Sequence, residues 1–132
     1  MAPSALLVAV TVLREGLTER DPQPVGTRVP AKRPPRFIKV ERAGGQMVNP
    51  FTESVLLIVQ AWDDDNRLGE SRAEATANLC VGIMRASSGT WVGDARVRRW
   101  EQNALPSYLP DPDTGIARFQ FTGELRLAVR QQ

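Results

Sequence analysis

The side chains that most often carry chemistry are sparse in this chain. There is no histidine among its 132 residues, which removes the commonest general base, the commonest metal ligand and every Ser–His or Cys–His nucleophile pair. Carboxylate chemistry remains, and the run Asp63, Asp64, Asp65 is where a divalent metal or an acid/base pair would have to sit. Successive side chains on an extended backbone point to opposite faces, and Mg²⁺ or Ca²⁺ needs several convergent oxygens. With no second acidic cluster to complete a cage, the triplet is expected to be a solvated strand end.

Asp111, Asp113 and Gly115 superficially match a calcium loop. The glycine comes one place early, however, and Thr122 stands where such a loop closes with glutamate. Turn chemistry explains Asp111-Pro112-Asp113-Thr114-Gly115 better: proline fixes φ, aspartate accepts backbone hydrogen bonds and glycine takes positive φ. Gly44-Gly45-Gln46 reads likewise as part of a hairpin turn, and no glycine-rich phosphate loop follows any strand. Cys80, the single cysteine, excludes an internal disulfide and fits a buried free thiol, which favours a cytosolic origin. The expectation is a protein with no catalytic residue, cofactor or metal.

Arg96, Arg98 and Arg99 beside Trp100 are the best nucleic-acid candidate, since arginine next to an aromatic contacts phosphate and stacks on bases. Asp94 and Glu101 flank the run, and exposed strands carry such charges to blunt edge pairing, so a solvated strand competes with that reading. Lys and Arg number 17 against 15 Asp and Glu, a net +2, too small on its own to imply a nucleic-acid binder. Lysine occurs only at 32 and 39; the bias towards arginine suits bidentate contacts and equally suits a GC-rich coding sequence.

Those residues have to be placed by a fold, and the clearest element is the last. Over residues 116–130, Phe119, Phe121, Leu125, Leu127 and Val129 take one parity, and Arg118, Gln120, Thr122, Glu124, Arg126 and Arg130 the other, the period of a half-buried strand. Leu6, Val10, Leu13 and Leu17 recur at helical spacing and predict an amphipathic helix over residues 4–18. That run is too short to span a bilayer, and no basic region precedes it as in a signal peptide. Pro22, Pro24, Pro30, Pro34 and Pro35 then interrupt the chain, leaving residues 25–29 as a short edge strand. A strand over 37–42, the Gly44-Gly45 pair, the Asn49-Pro50 turn signal and an apolar run over 54–62 predict a hairpin whose second arm is central. Ala73, Ala77, Cys80, Ile83/Met84 and Ser87 form the stripe of a second helix over 67–87, with Gly89 beyond its end. A weaker strand over 91–103 leads to the corner and the last strand.

This order predicts one α+β domain over residues 1–132, a mostly antiparallel sheet with two helices packed on one face. Leu56, Ile58 and Trp62 would then be partly exposed on the other face, and an apolar sheet face of that kind meets another subunit or protein. Self-association is expected on physical grounds alone.

Two passages together carry a family resemblance: Arg28-Val29-Pro30-Ala31-Lys32-Arg33-Pro34-Pro35-Arg36-Phe37-Ile38-Lys39-Val40-Glu41-Arg42-Ala43-Gly44-Gly45, and residues 109–121 with their Leu-Pro-Asp-Pro-Asp-Thr-Gly corner. In order and separation they resemble tail terminator proteins of long-tailed siphophages, the actinobacteriophage type above all, from about Val25 onward. The resemblance implies a homo-oligomeric ring, typically a hexamer, that caps the major tail tube protein, ends tail polymerisation and joins a head-completion or stopper protein. It implies assembly in the host cytoplasm, residence at the head–tail junction of the virion, no membrane, and passage of DNA through the ring. Arg96, Arg98, Arg118 and Arg126 are then the candidates for subunit or lumen contact. A dense basic lumen would hold DNA by counterion release, and the near-balance of charge is compatible with transit. The competing expectations are a stopper protein elsewhere in the neck, a small single-stranded nucleic-acid-binding domain at residues 96–100, and, least favoured, a carboxylate metalloenzyme at residues 63–65.

Overall fold

A computed structural model describes residues 4–129. They form α1 (Ala5–Leu17), β1 (Val25–Gly26), β2 (Arg36–Asn49), β3 (Thr52–Asp63), α2 (Gly69–Arg85), β4 (Trp91–Val92), β5 (Ala95–Tyr108) and β6 (Ala117–Val129). The strands make one six-stranded sheet in the order β1-β2-β3-β6-β5-β4. Its single parallel pair is β1–β2, and the other pairings are antiparallel. The class is therefore α+β with a mixed, mostly antiparallel sheet, and β3, the strand with the apolar run, lies between β2 and β6.

One parity of each long strand supplies the core. Ile38 and Val40 of β2, Val55, Leu57 and Val59 of β3, and Phe121, Leu125 and Leu127 of β6 join Val8 and Leu13 of α1 and Ala77, Cys80 and Met84 of α2 in one hydrophobic cluster. Removing this apolar area from water is the main stabilising term. Burial pushes the Cys80 thiol up to about 12, with the negative charge of Asp21 adding to the shift, so it stays an uncharged, unreactive core group.

Helix α1 begins where Ser4 accepts a hydrogen bond from the Leu7 amide at 3.2 Å, an N-cap that satisfies one of the first turn's free donors. Its buried face is Ala5, Val8, Ala9, Val10, Val12, Leu13 and Leu17. Leu6, expected on the buried stripe, is only half-buried, and Leu7 is exposed. Small residues let the backbone approach its neighbours, so the stripe runs through Ala5 and Ala9.

Other boundaries depart from the sequence expectation for local physical reasons. The strand read over 25–29 ends at Gly26, and Val29 is exposed among the prolines. The Gly44-Gly45 pair is not the hairpin turn: β2 runs through it to Asn49, with a register shift between Arg42 and Gly44. Gly44 and Gly45 take φ of 139° and 151°, which residues with a side chain rarely adopt, and a Cβ on Gly45 would lie 2.5 Å from the Ser54 carbonyl oxygen, so the pair carries the strand on from the bulge where other residues would be strained. The turn falls at Pro50-Phe51, where the Phe51 amide donates to Asn49 Oδ1 at 2.9 Å. The weak strand over 91–103 is two strands, since a turn at Gly93-Asp94 folds β4 back on β5, and β5 continues to Tyr108. Trp62 is buried rather than partly exposed, whereas Leu56 and Ile58 are half-buried. In the last strand Phe119, Phe121, Leu125 and Leu127 are buried as the parity requires; the side chain of Val129 and all of Arg130 lie outside the described residues.

Candidate functional site

At the end of β3 the acidic triplet divides its labour. Asp63 is 1% exposed, so it is not part of a solvated strand end. Its Oδ2 lies 3.1 Å from Arg36 Nε and 3.0 Å from Arg72 Nε. A carboxylate withdrawn from water needs opposite charge beside it, and two guanidinium groups supply it. Arg36 also donates to Asp21 Oδ1 and Oδ2 at 2.8 and 2.7 Å and to Thr76 Oγ1 at 2.8 Å, while Thr76 donates to Asp21 at 3.2 Å. This network ties the segment after α1 to β2, β3 and α2. Asp65 accepts from the Arg67 and Leu68 amides at 2.9 and 2.7 Å and so starts α2 from outside the helix. Asp64 is the solvated member.

Asp63 and Asp65 are thus committed to guanidinium or amide partners. Among the described residues no group of three His, Cys, Asp or Glu converges where it could hold a metal ion. The hydrogen bonds from Arg36 hold the Asp21 carboxyl below its ordinary range, and Asp21 in turn raises Arg36. The amides of Leu68 and Arg67 depress Asp65, and the Thr114 side chain depresses Asp111. A carboxyl depressed in the fold stabilises it above the unfolded value, near 4, and that contribution is lost as pH falls through the folded value. Urea midpoints are therefore expected to hold steady from neutrality to about pH 5 and to fall below about pH 4. Asp21→Asn should lower the neutral plateau and flatten the acid limb. A midpoint that rises on acidification would contradict the network.

The corner is a turn built by Asp111. Its Oδ2 accepts from the Thr114 amide at 3.0 Å and from Thr114 Oγ1 at 2.5 Å, and its backbone carbonyl accepts from the Gly115 amide at 2.8 Å. Arg118 is held against this corner. Its Nε donates to the Leu109 carbonyl at 2.8 Å, and its guanidinium lies 5.0 Å from the centre of the Trp62 ring. Phe37 stacks on Trp62 at 5.0 Å. Arg118 and Phe37 thus cover the tryptophan expected to be exposed, a cation–π and stacking arrangement made within the chain.

The other candidates lie at the opposite end of the strands. Register places Arg126 of β6 opposite Ser54 of β3 and opposite Arg99 of β5, and Arg96 opposite Ala128. Arg98 occupies the register shift between Val97 and Arg99. Arg98, Arg99 and Arg126 line one depression with Val48, Asn49 and Thr52 of the β2–β3 hairpin. Like charges directly across a strand pair are destabilising; Glu101 relieves part of this by accepting from Arg99 at 3.0 Å. The structure thus brings Arg98 and Arg126 together, sets Arg96 one row away and leaves Arg118 elsewhere. Arg99, named in sequence only as part of the basic run, belongs with them.

Trp100 is not available to a ligand. It is buried, its Nε1 donates to Gln102 Oε1 at 2.7 Å, and its ring meets Phe121 edge-on at 6.3 Å. The stacking role expected of it beside the arginines is withdrawn for that reason. The tryptophan that does reach the surface is Trp91, 48% exposed and opposite Arg96.

Sequence reasoning missed a second surface feature. Met47, Val48 and Phe51 at the β2–β3 hairpin are exposed, as are Leu105, Tyr108 and Leu109 around the end of β5. Two runs without a charged residue, 43–51 and 102–110, carry them, and that absence of charge was the available signal.

No family model matches this chain, and no curated protein matches it. Among solved structures it is similar to a chain of the virion of a native gene transfer agent (GTA) particle, with a TM-score of 0.64, 11% sequence identity, and coverage of 96% of this chain and 99% of that one. At that identity the likeness is one of fold, and it extends over nearly the whole of both chains.

Proposed function

We propose that the chain is a structural, non-enzymatic protein of a phage or phage-like particle, and that it acts as the tail terminator. The observation that carries this is the full-length fold likeness to a virion chain, since neither partner has a large unmatched region. Fold alone does not fix function, and the reading gains support from two further points. Asp63 and Asp65 of the acidic triplet are held by structural partners, and apolar side chains stand exposed at two places on one sheet. With both helices taken to pack on the side of the hydrophobic cluster, half-buried Leu56 and Ile58 on the opposite parity are offered to neighbours.

In this reading copies close into a ring, a hexamer by the family resemblance, at the head–tail junction. One face meets the major tail tube protein and the other the head-completion protein, and DNA passes through the centre. Arg96, Arg98 and Arg126 are the contacts proposed for a neighbour or the lumen, while Arg118 positions Trp62 and the corner. Deleting the coding sequence from the particle that encodes it tests the proposal. Overlong tails support a terminator, and tails of normal length that fail to join heads place the protein at the stopper position instead.

A further inference from the structure

We infer that the outer edge of β2 in one copy adds, as an antiparallel strand, to the outer edge of β5 in the next copy. This deepens the ring reading above and rests on it for closure. Among the described residues, β2 is paired on its outer side only at Ile38 and Lys39, by the two residues of β1. The outer side of β5 is paired by β4 only at Ala95 and Arg96, and Val97 then exchanges hydrogen bonds with Gly89 and Thr90. Beyond those points each strand leaves a long row of backbone N–H and C=O groups with no strand beside it.

Natural edge strands are protected by charge, proline, bulges or short length. The free portions here are long, and the stretches 43–51 and 102–110 carry no charge at all. Met47 at 63% and Leu105 at 66% are the most exposed large hydrophobic residues described, and they sit on these two edges. Protection is present on β5 in another form, Pro106 and the register shifts at residues 102–107. It removes the uniform template that would accept any strand, while β6 stays paired through the same irregularities. β2 has register shifts of its own, at 42–44 and 47–49, so the two edges are irregular partners that limit indiscriminate pairing.

Direction favours a second copy as the occupant. β2, β3, β6 and β5 are each antiparallel to the next, so β2 and β5 of one chain run oppositely. Copies related by rotation about an axis roughly along the strands therefore bring β5 of one against β2 of the next in the antiparallel sense. Because the two edges differ, the contact is heterologous: each addition presents the same free edge again, until the rotation closes a ring or a filament grows.

Single variants Met47→Lys and Leu105→Lys, each checked by circular dichroism for retained fold, are compared with the unaltered chain by light scattering over a concentration series. Loss of the oligomer to monomer in both variants is expected, because an edge lysine opposes strand addition. Glu41 and Ala104 stand level across the sheet through Ile58 and Thr122, so mixing Glu41→Cys with Ala104→Cys chains and adding a bis-maleimide should give a crosslink joining the two different variants, with Cys80 buried and out of reach. Crosslinks that join only like variants would overturn the inference in favour of a two-fold contact. So would an oligomer that survives both lysines, and that outcome leaves the ring itself standing. An unaltered chain that stays monomeric at every concentration also overturns it, and tail length then judges the terminator reading separately.

Discussion

Replacing Asp63 with Ala is expected to destabilise the fold by about 3 kcal/mol, the low end of the range for breaking a buried ion pair. Asp63 is buried, yet Arg36 and Arg72 are 23% and 38% exposed, so water screens part of the charge left behind. The loss arises less from the attraction removed than from two guanidinium groups facing each other with one acid fewer. For a domain of this size the change corresponds to a fall in melting temperature of roughly 10 °C. Asp63→Asn keeps the shape and should lose nearly as much, because charge is what the site requires. Combining Asp63→Ala with Arg72→Ala should cost less than the sum of the single changes. Thermal and urea unfolding of the set measures this, and a loss below about 1 kcal/mol for Asp63→Ala would show that the cluster does not hold the sheet to α2.

Gly123 is the second position where a small change should have a large effect. It lies on β6 opposite Gln102, two pairs along from Leu125 and Trp100, and the Trp100 indole rests where a Cβ on Gly123 would be. The ring cannot move away without cost, since Gln102 holds its Nε1 and Phe121 meets it edge-on. Gly123→Ala is expected to lose about 2 kcal/mol and Gly123→Val about 3 kcal/mol, the range for forcing atoms into a filled core. Trp100 fluorescence should shift as the ring is displaced towards water. Adding Trp100→Leu to Gly123→Ala should recover part of the loss, a coupling expected of residues in direct contact. Full stability in Gly123→Ala would mean that the indole is not seated on the glycine.

Much of the fold was legible because burial leaves periodic marks. The apolar run of β3 placed it in the centre of the sheet, and the alternation of β6 named its buried residues. What failed did so where the deciding partner is distant in sequence. Gly44-Gly45 is a turn signal locally, but both residues pair with β3, at Leu56 and Val55, just beyond a bulge within the strand. Trp62 reads as an exposed aromatic on the outward parity until Arg118 and Phe37 are seen to cover it. Asp63 resembles its two neighbours in sequence, and only Arg36 and Arg72, from β2 and α2, distinguish it.

The candidate surface was legible in part for the same reason. Arg98 and Arg126 are far apart in sequence, and the β5–β6 register that brings Arg99 opposite Arg126 depends on a bulge at Arg98 that no periodicity announces. Trp100 was drawn towards the arginines by adjacency alone, although it packs on the side of Phe121 and Leu125.

The most direct test of the central claim is tail length in particles assembled with and without this chain. Deletion is expected to give tails longer than normal and variable in length, with normal length restored when the chain is supplied again. Tails of unchanged length in the deletion, whether or not heads attach, would contradict a terminator role.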